Sequence, residues 1–216
     1  MLELKEGYGY TPTLVCVCSD GGAVMCADSR MVTVKGDKAV FPDDCRRVFK
    51  VNERLLYGCA GMFPEDATLV EPLTGRKSER LNADNLAEYV NDWMLEQMAT
   101  GTLRECVYVI AGLDRVGRMC VATLRYDEEE EAVHTDKAYC ADGDVIFMNL
   151  PPAAAADDER WERRLRELLE DDGEETTGGR IAEFIRELAG VSKFVGGNII
   201  CRSMTAHNKI DAGKGA

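Results

Sequence analysis

The stretch Thr13-Leu14-Val15-Cys16-Val17-Cys18-Ser19-Asp20-Gly21-Gly22-Ala23-Val24-Met25-Cys26-Ala27-Asp28-Ser29-Arg30 decides the fold. Residues 13–18 and 23–27 are short apolar runs, and Ser19-Asp20-Gly21-Gly22 between them has the composition of a tight turn in which glycine supplies positive φ. A β-hairpin is expected here. Side chains alternate across a strand, so Cys16 and Cys18 should point to one face.

Working outward, residues 47–51 and 54–59 read as a second strand pair around Asn52-Glu53, after a polar segment over 35–44. Between Asn82 and Met98 the apolar residues Leu86, Tyr89, Val90, Trp93, Met94 and Met98 recur at helical spacing, with Asn82 or Asp84 able to cap the start and Gly101 to end it. Residues 106–111 and 118–126 read as strands. The run 127–131 holds five adjacent carboxylates that repel one another, so it reads as a solvated turn, and it lacks the ligand alternation of a calcium loop. A second helix is expected over 153–169, with Trp161, Leu165, Leu168 and Leu169 on one side. A link over 171–179, a third helix over 180–188, a last strand over 194–201 and an aperiodic tail over 207–216 complete the chain. Hairpins interrupted by grouped helices indicate an α+β layered sandwich rather than alternating βαβ units.

Composition narrows the function classes. The 216 residues suit one domain, or at most two small ones. A net charge of -13, from 26 basic and 39 acidic side chains, argues against nucleic acid or an anionic membrane as partner, since both select clustered Lys and Arg. No run approaches the ~18 apolar residues of a membrane helix, and the N-terminus lacks the basic start and apolar stretch of a secretory signal, so a cytoplasmic location is expected. The nine cysteines stand mostly in apolar runs and form no Cys-x-x-Cys pair. They are expected to be free, buried sheet filling in a reducing compartment, with no metal site and no cofactor. His134 and His207 have no Ser or Cys context for a nucleophilic triad, and His134 reads as a surface strand residue.

At this point the quoted stretch resembles the opening hairpin of proteasome β-type subunits and HslV-like peptidases, whose signature is an apolar strand, a glycine turn, a second apolar strand and Ala-Asp-x-Arg. Arg46-Arg47-Val48-Phe49-Lys50-Val51 resembles the family's basic pair and strand. Tyr57-Gly58-Cys59-Ala60-Gly61 is similar to its Gly-x-x-Ala-Gly turn into the first helix, Ile110-Ala111-Gly112-Leu113-Asp114 to its next hairpin, and Phe194-Val195-Gly196-Gly197-Asn198-Ile199 to the turn and strand after its last long helix. The likeness runs in order over residues 10–203. It implies the four-layer αββα sandwich of N-terminal nucleophile (Ntn) hydrolases, assembled into rings.

In that family the active enzyme begins at a threonine exposed by self-cleavage. Its α-amine, which titrates near about 7.7–8.0, serves as general base, and a backbone N–H in the Ala-Gly turn steadies the oxyanion. Counted back from Asp28 without a gap, the nucleophile position falls on Pro12, which has no hydroxyl, and the next threonine on Thr13. The family's active-site lysine falls on Arg47, which keeps its charge but cannot shuttle a proton. Its Gly-Ser-Gly turn before the third helix corresponds to Asp142-Gly143-Asp144, and the aspartate and serine before its final Gly-Gly to Ser192 and Val195. The resemblance thus implies Thr13, Asp28, Arg47 and Gly61 as the catalytic set. Thr13 would be exposed by a cut after Pro12 and shifted into register by a bulge in the first strand. Asp28 would orient Arg47 through a buried carboxylate-guanidinium pair.

The implied organisation is an N-terminal extension or propeptide over 1–12, an Ntn-hydrolase-like domain over 13–203 and a flexible tail over 204–216. Two functions follow. One is a threonine-type endopeptidase acting on peptide or protein substrates in protein degradation. The other is a non-catalytic structural subunit of a ring of identical or related chains. A non-peptide amidohydrolase on the same fold is a third.

Overall fold

The protein, described by a computed structural model over residues 6–36, 38–64, 78–171 and 173–206, opens with β1 (Tyr8–Thr11), β2 (Leu14–Ser19) and β3 (Gly22–Asp28). β2 and β3 are the expected hairpin, paired in unbroken antiparallel register from Val15↔Cys26 to Ser19↔Gly22. Gly22 has φ +151, and a Cβ there would lie 2.2 Å from the Met204 carbonyl oxygen, so only glycine fits the turn. A small ribbon, β4 (Thr33–Lys35) with β5 (Lys38–Val40), leads to the second hairpin, β6 (Val48–Asn52) and β7 (Leu55–Pro64).

Helix α1 (Ala83–Ala99) is capped by Asn82, whose side chain accepts from the Asn85 N–H. The strands β8 (Cys106–Leu113), β9 (Met119–Asp127) and β10 (Ala132–Tyr139) follow. The acidic run is the β9–β10 turn, where Asp127 Oδ1 accepts from the N–H groups of Glu129 and Glu130. His134 lies on β10, as expected, with Nε2 2.9 Å from Glu130. After β11 (Val145–Asn149) come α2 (Pro152–Ala155), α3 (Asp158–Glu170), α4 (Thr177–Val191) and β12 (Ile199–Thr205).

Two sheets result. One has six strands, in the order β1-β7-β8-β9-β10 with β6 also on β7, and the other runs β11-β2-β3-β12. Between them lies a core drawn from alternate residues of both: Leu14, Cys16, Cys18 and Met25 from one, Leu56, Val109 and Val121 from the other. Cys16 and Cys18 do share this face. On the outer face of the six-stranded sheet, Leu86, Val90 and Met94 of α1 recur every fourth residue and pack on Tyr57, Tyr108 and Leu124. On the outer face of the other sheet, α4 lays down Ile181, Phe184, Ile185 and Leu188, and α3 adds Trp161, Leu165 and Leu168. Trp161 meets Phe184 edge to face at 5.9 Å. Each of these side chains contributes roughly 1.5–3 kcal/mol by leaving water. The layers are helix, sheet, sheet, helix, which is the expected αββα sandwich.

Several boundaries differ from expectation. The helix expected over 153–169 is two helices, because Asp157 leaves helical geometry at φ -141, ψ 52. Asp158 and Glu159 then open α3, where carboxylates favour a helix N-terminus. The link is shorter than expected, since Thr176 caps α4 by accepting from Gly179 N–H. Residues Phe194 to Asn198 form a turn rather than strand, with Gly197 at φ +72, so β12 starts only at Ile199. Ala60-Gly61 is no turn into a helix: β7 runs through it to Pro64, paired with β8 on one edge and β1 on the other. Asp142-Gly143-Asp144 precedes a strand, β11, rather than a helix. Nor are all nine cysteines free, because Cys26 and Cys201, direct partners across β3 and β12, are disulfide-bonded. Residues Tyr8–Thr11, expected in an extension, are a strand of the main sheet. The tail over 207–216, with His207, lies outside the described residues. Among the described residues no helix is long and apolar enough to cross a membrane.

Candidate active site

Thr13, Asp28, Arg47 and Gly61 come from four elements that meet at one end of the sandwich: the entry to β2, the end of β3, the residue before β6, and β7. Asp28 and Arg47 form a buried ion pair, their side chains 0% and 3% exposed, with Nη2 of Arg47 3.3 Å from Asp28 Oδ1. The same Nη2 donates to the carbonyl oxygens of Asp28 at 2.7 Å and Arg30 at 3.1 Å. Asp28 Oδ2 accepts from Gly196 N–H at 2.9 Å, so the turn before β12 closes over the pair. Burial raises the Asp28 carboxyl above its ordinary value, against the opposing pull of the Arg47 charge and the backbone N–H donors.

Around this pair the chain is tied by residues that no local pattern groups together. Arg30 grips Asp43 through Nε at 2.7 Å and Nη2 at 3.0 Å, and reaches the Lys193 and Val195 carbonyls with Nη1. Ser29 Oγ donates to the Asp43 carbonyl and accepts from Asn198 N–H. These bonds join the end of β3, the polar segment before β6 and the Gly-Gly turn. The one available signal was the Ala-Asp-x-Arg motif, which includes Arg30. Ser192 is buried and its Oγ accepts from Phe194 N–H, while Val195 packs in the core under α4.

Thr13 is fully buried, and its hydroxyl has no hydrogen-bond partner among the described residues. Its nitrogen lies in the peptide bond with Pro12, whose carbonyl accepts from Asn149 Nδ2 at 2.5 Å. Immediately upstream, β1 is held on two sides. It pairs with β7 from Tyr8↔Pro64 to Thr11↔Gly61, and Tyr10 exchanges two backbone hydrogen bonds with Val32, each 2.8 Å. Thr11 Oγ1 also donates to the Gly61 carbonyl. Gly61 has φ +112, and a Cβ there would lie 2.6 Å from Cys106 Cα and from the Glu105 carbonyl oxygen.

Arg47 keeps its positive charge at working pH and cannot take a proton from a nucleophile. Thr13 lies just before the paired residues of β2. β2 keeps unbroken register against β11 from Leu14↔Asn149 to Cys18↔Val145, as it does against β3. Beside this end opens a cleft of about 850 Å³, lined by Tyr10, Gly61 and Glu105 on one side and by Phe147, Asn149 and Glu162 on the other. Among the described residues no cluster of three or more His, Cys, Asp or Glu could hold a metal ion.

No curated protein matches the chain. Among solved structures, that of a eukaryotic HslV from Trypanosoma brucei is similar at 15% identity and a TM-score of 0.48, over 89% of this chain and 99% of that one. The family model described as proteasome subunit matches residues 10–123, just over half of the sequence, and by that match the chain belongs to the proteasome subunit family.

Proposed function

We propose that this chain is a non-catalytic structural subunit of a ring-shaped, proteasome-like assembly that serves protein degradation in the cytoplasm. The observation that carries this reading is the buried Asp28–Arg47 pair, in which a guanidinium that cannot move a proton stands where the resemblance expects a lysine; the bulge-free pairing of β2 from Leu14 onward supports the gapless count that sets Pro12 at the nucleophile position. The built-in β1 strand supports it, since residues that an active subunit would discard here complete a sheet. Asp28 and Arg47 then serve as a structural pair that fastens β3, β6 and the Gly-Gly turn together.

One observation favours the second reading, a threonine endopeptidase. The Thr13 hydroxyl is buried without a partner among the described residues, and buried polar groups are rarely left so. A cut between Pro12 and Thr13 would give it a free amine beside it.

Intact mass, native mass spectrometry and a panel of fluorogenic peptides separate the two. An assembled ring whose chains keep the residues before Thr13 and cleave no peptide is the expected result. A new N-terminus at Thr13, with hydrolysis abolished by Thr13→Ala, would overturn the proposal in favour of the peptidase.

A further inference from the structure

Two of the seven unbonded cysteines face each other across the interior, far from the Thr13 end. Cys18 is near the close of β2, and Cys140 opens the short 3-10 turn between β10 and β11. Both are buried, and their Sγ atoms are 2.8 Å apart. That is only about 0.8 Å beyond a covalent S–S bond of ~2.05 Å, so little movement would bring them to bonding distance.

We propose that Cys18 and Cys140 form a dithiol that a hydroperoxide oxidises to a disulfide, stapling the two sheets together. The geometry gives such a bond a distinct mechanical role. Cys140 follows directly on Tyr139, the last residue of the edge strand β10 in the six-stranded sheet, whereas Cys18 belongs to β2 in the four-stranded sheet. The existing Cys26–Cys201 bond joins neighbouring strands of a single sheet. The new bond would join positions 122 apart in sequence; the Cys26–Cys201 bond already shortens the chain path between them, and closing the loop that remains still removes chain entropy from the unfolded state.

The chemistry balances with the peroxide as co-reactant. Burial raises both thiols, and the hydrogen bond between them opposes that rise at Cys140 and adds to it at Cys18, so Cys140 yields its proton first. The Cys140 thiolate attacks a peroxide oxygen, forming a sulfenic acid and releasing hydroxide. Cys18 sulfur then attacks Cys140 sulfur and displaces the sulfenic oxygen. The two thiols lose two protons and two electrons, and hydrogen peroxide leaves as two waters.

The test uses the whole protein, treated with hydrogen peroxide, quenched, denatured and alkylated with iodoacetamide without reduction. Seven alkylated cysteines are expected before oxidation and two fewer afterwards, with peptide mapping joining Cys18 to Cys140. The melting temperature should rise by roughly 10 °C on oxidation and fall back with dithiothreitol. Cys18→Ala should show neither change. Full alkylation of Cys18 and Cys140 after peroxide, a cross-link from either to another cysteine, or a Cys18–Cys140 bond without a rise in melting temperature would each overturn the proposal. The peptide map is made on the wild-type chain, so it stands even if the variant fails to fold.

Discussion

Replacing Arg47 with methionine should cost about 3–5 kcal/mol of folding stability, because it removes one partner of a buried ion pair and leaves the other charged. The figure follows from the contacts. Arg47 supplies the guanidinium 3.3 Å from Asp28 Oδ1 and donates to two carbonyl oxygens, and the carboxylate it neutralises is 0% exposed. Backbone N–H donors, among them Gly196 in the turn before β12, are what that carboxylate keeps. Adding Asp28→Asn removes the stranded charge. The double variant should therefore regain part of the loss, remaining about 1–3 kcal/mol below wild type because carbonyl acceptors stay unpaired. Stability falls with pH in a definite sense. A carboxyl whose folded value is raised, as at Asp28, contributes most below its unfolded value, and that contribution is lost as pH rises through the folded value. Without the guanidinium this loss extends to higher pH, so the deficit of Arg47→Met should be largest near pH 7 and narrow toward about pH 4. Urea denaturation of wild type, both single variants and the double variant at the two pH values measures the cycle. Each kcal/mol corresponds to about 2–4 °C of melting temperature at this chain length. A single variant within 1 kcal/mol of wild type at near-neutral pH, or strict additivity across the cycle, would refute the assignment of Arg47 as the buried counter-ion of Asp28.

Two further substitutions probe the same end of the sandwich. Gly61→Ala combines positive φ with a clash against the β8 backbone, so it should cost about 3 kcal/mol or more and lower the soluble yield, read by thermal denaturation. Thr13→Val removes a buried hydroxyl that has no partner among the described residues while nearly keeping its volume, and should leave stability unchanged or raise it by about 1 kcal/mol; a clear loss would show that the hydroxyl is bonded in solution.

Much of the fold is local information. The first hairpin and α1 are written in period-two and period-four apolar patterns with their own turn and cap residues, and they form where those patterns lie. What local pattern does not carry is pairing across long separations. β10 is an edge strand with no fully buried residue, held mainly by its neighbour's backbone, and its polar sequence carries little strand signal. The disulfide is likewise invisible in sequence, because it depends on β3 and β12 being neighbours in a register that sets Cys26 opposite Cys201.

The candidate site divides in the same way. The resemblance carried by the sequence pointed to Asp28 and Arg47 and implied Pro12 at the nucleophile position, and residue chemistry alone says that an arginine at 47 cannot shuttle a proton. Only the tertiary structure decided that β2 pairs without a bulge from Leu14 onward, that β1 is bonded into the sheet, and that Arg30, Asp43 and Gly196 brace the ion pair. Each of these depends on hydrogen bonds between segments far apart in the chain, whose partners are chosen by how the two sheets stack rather than by any neighbouring residue.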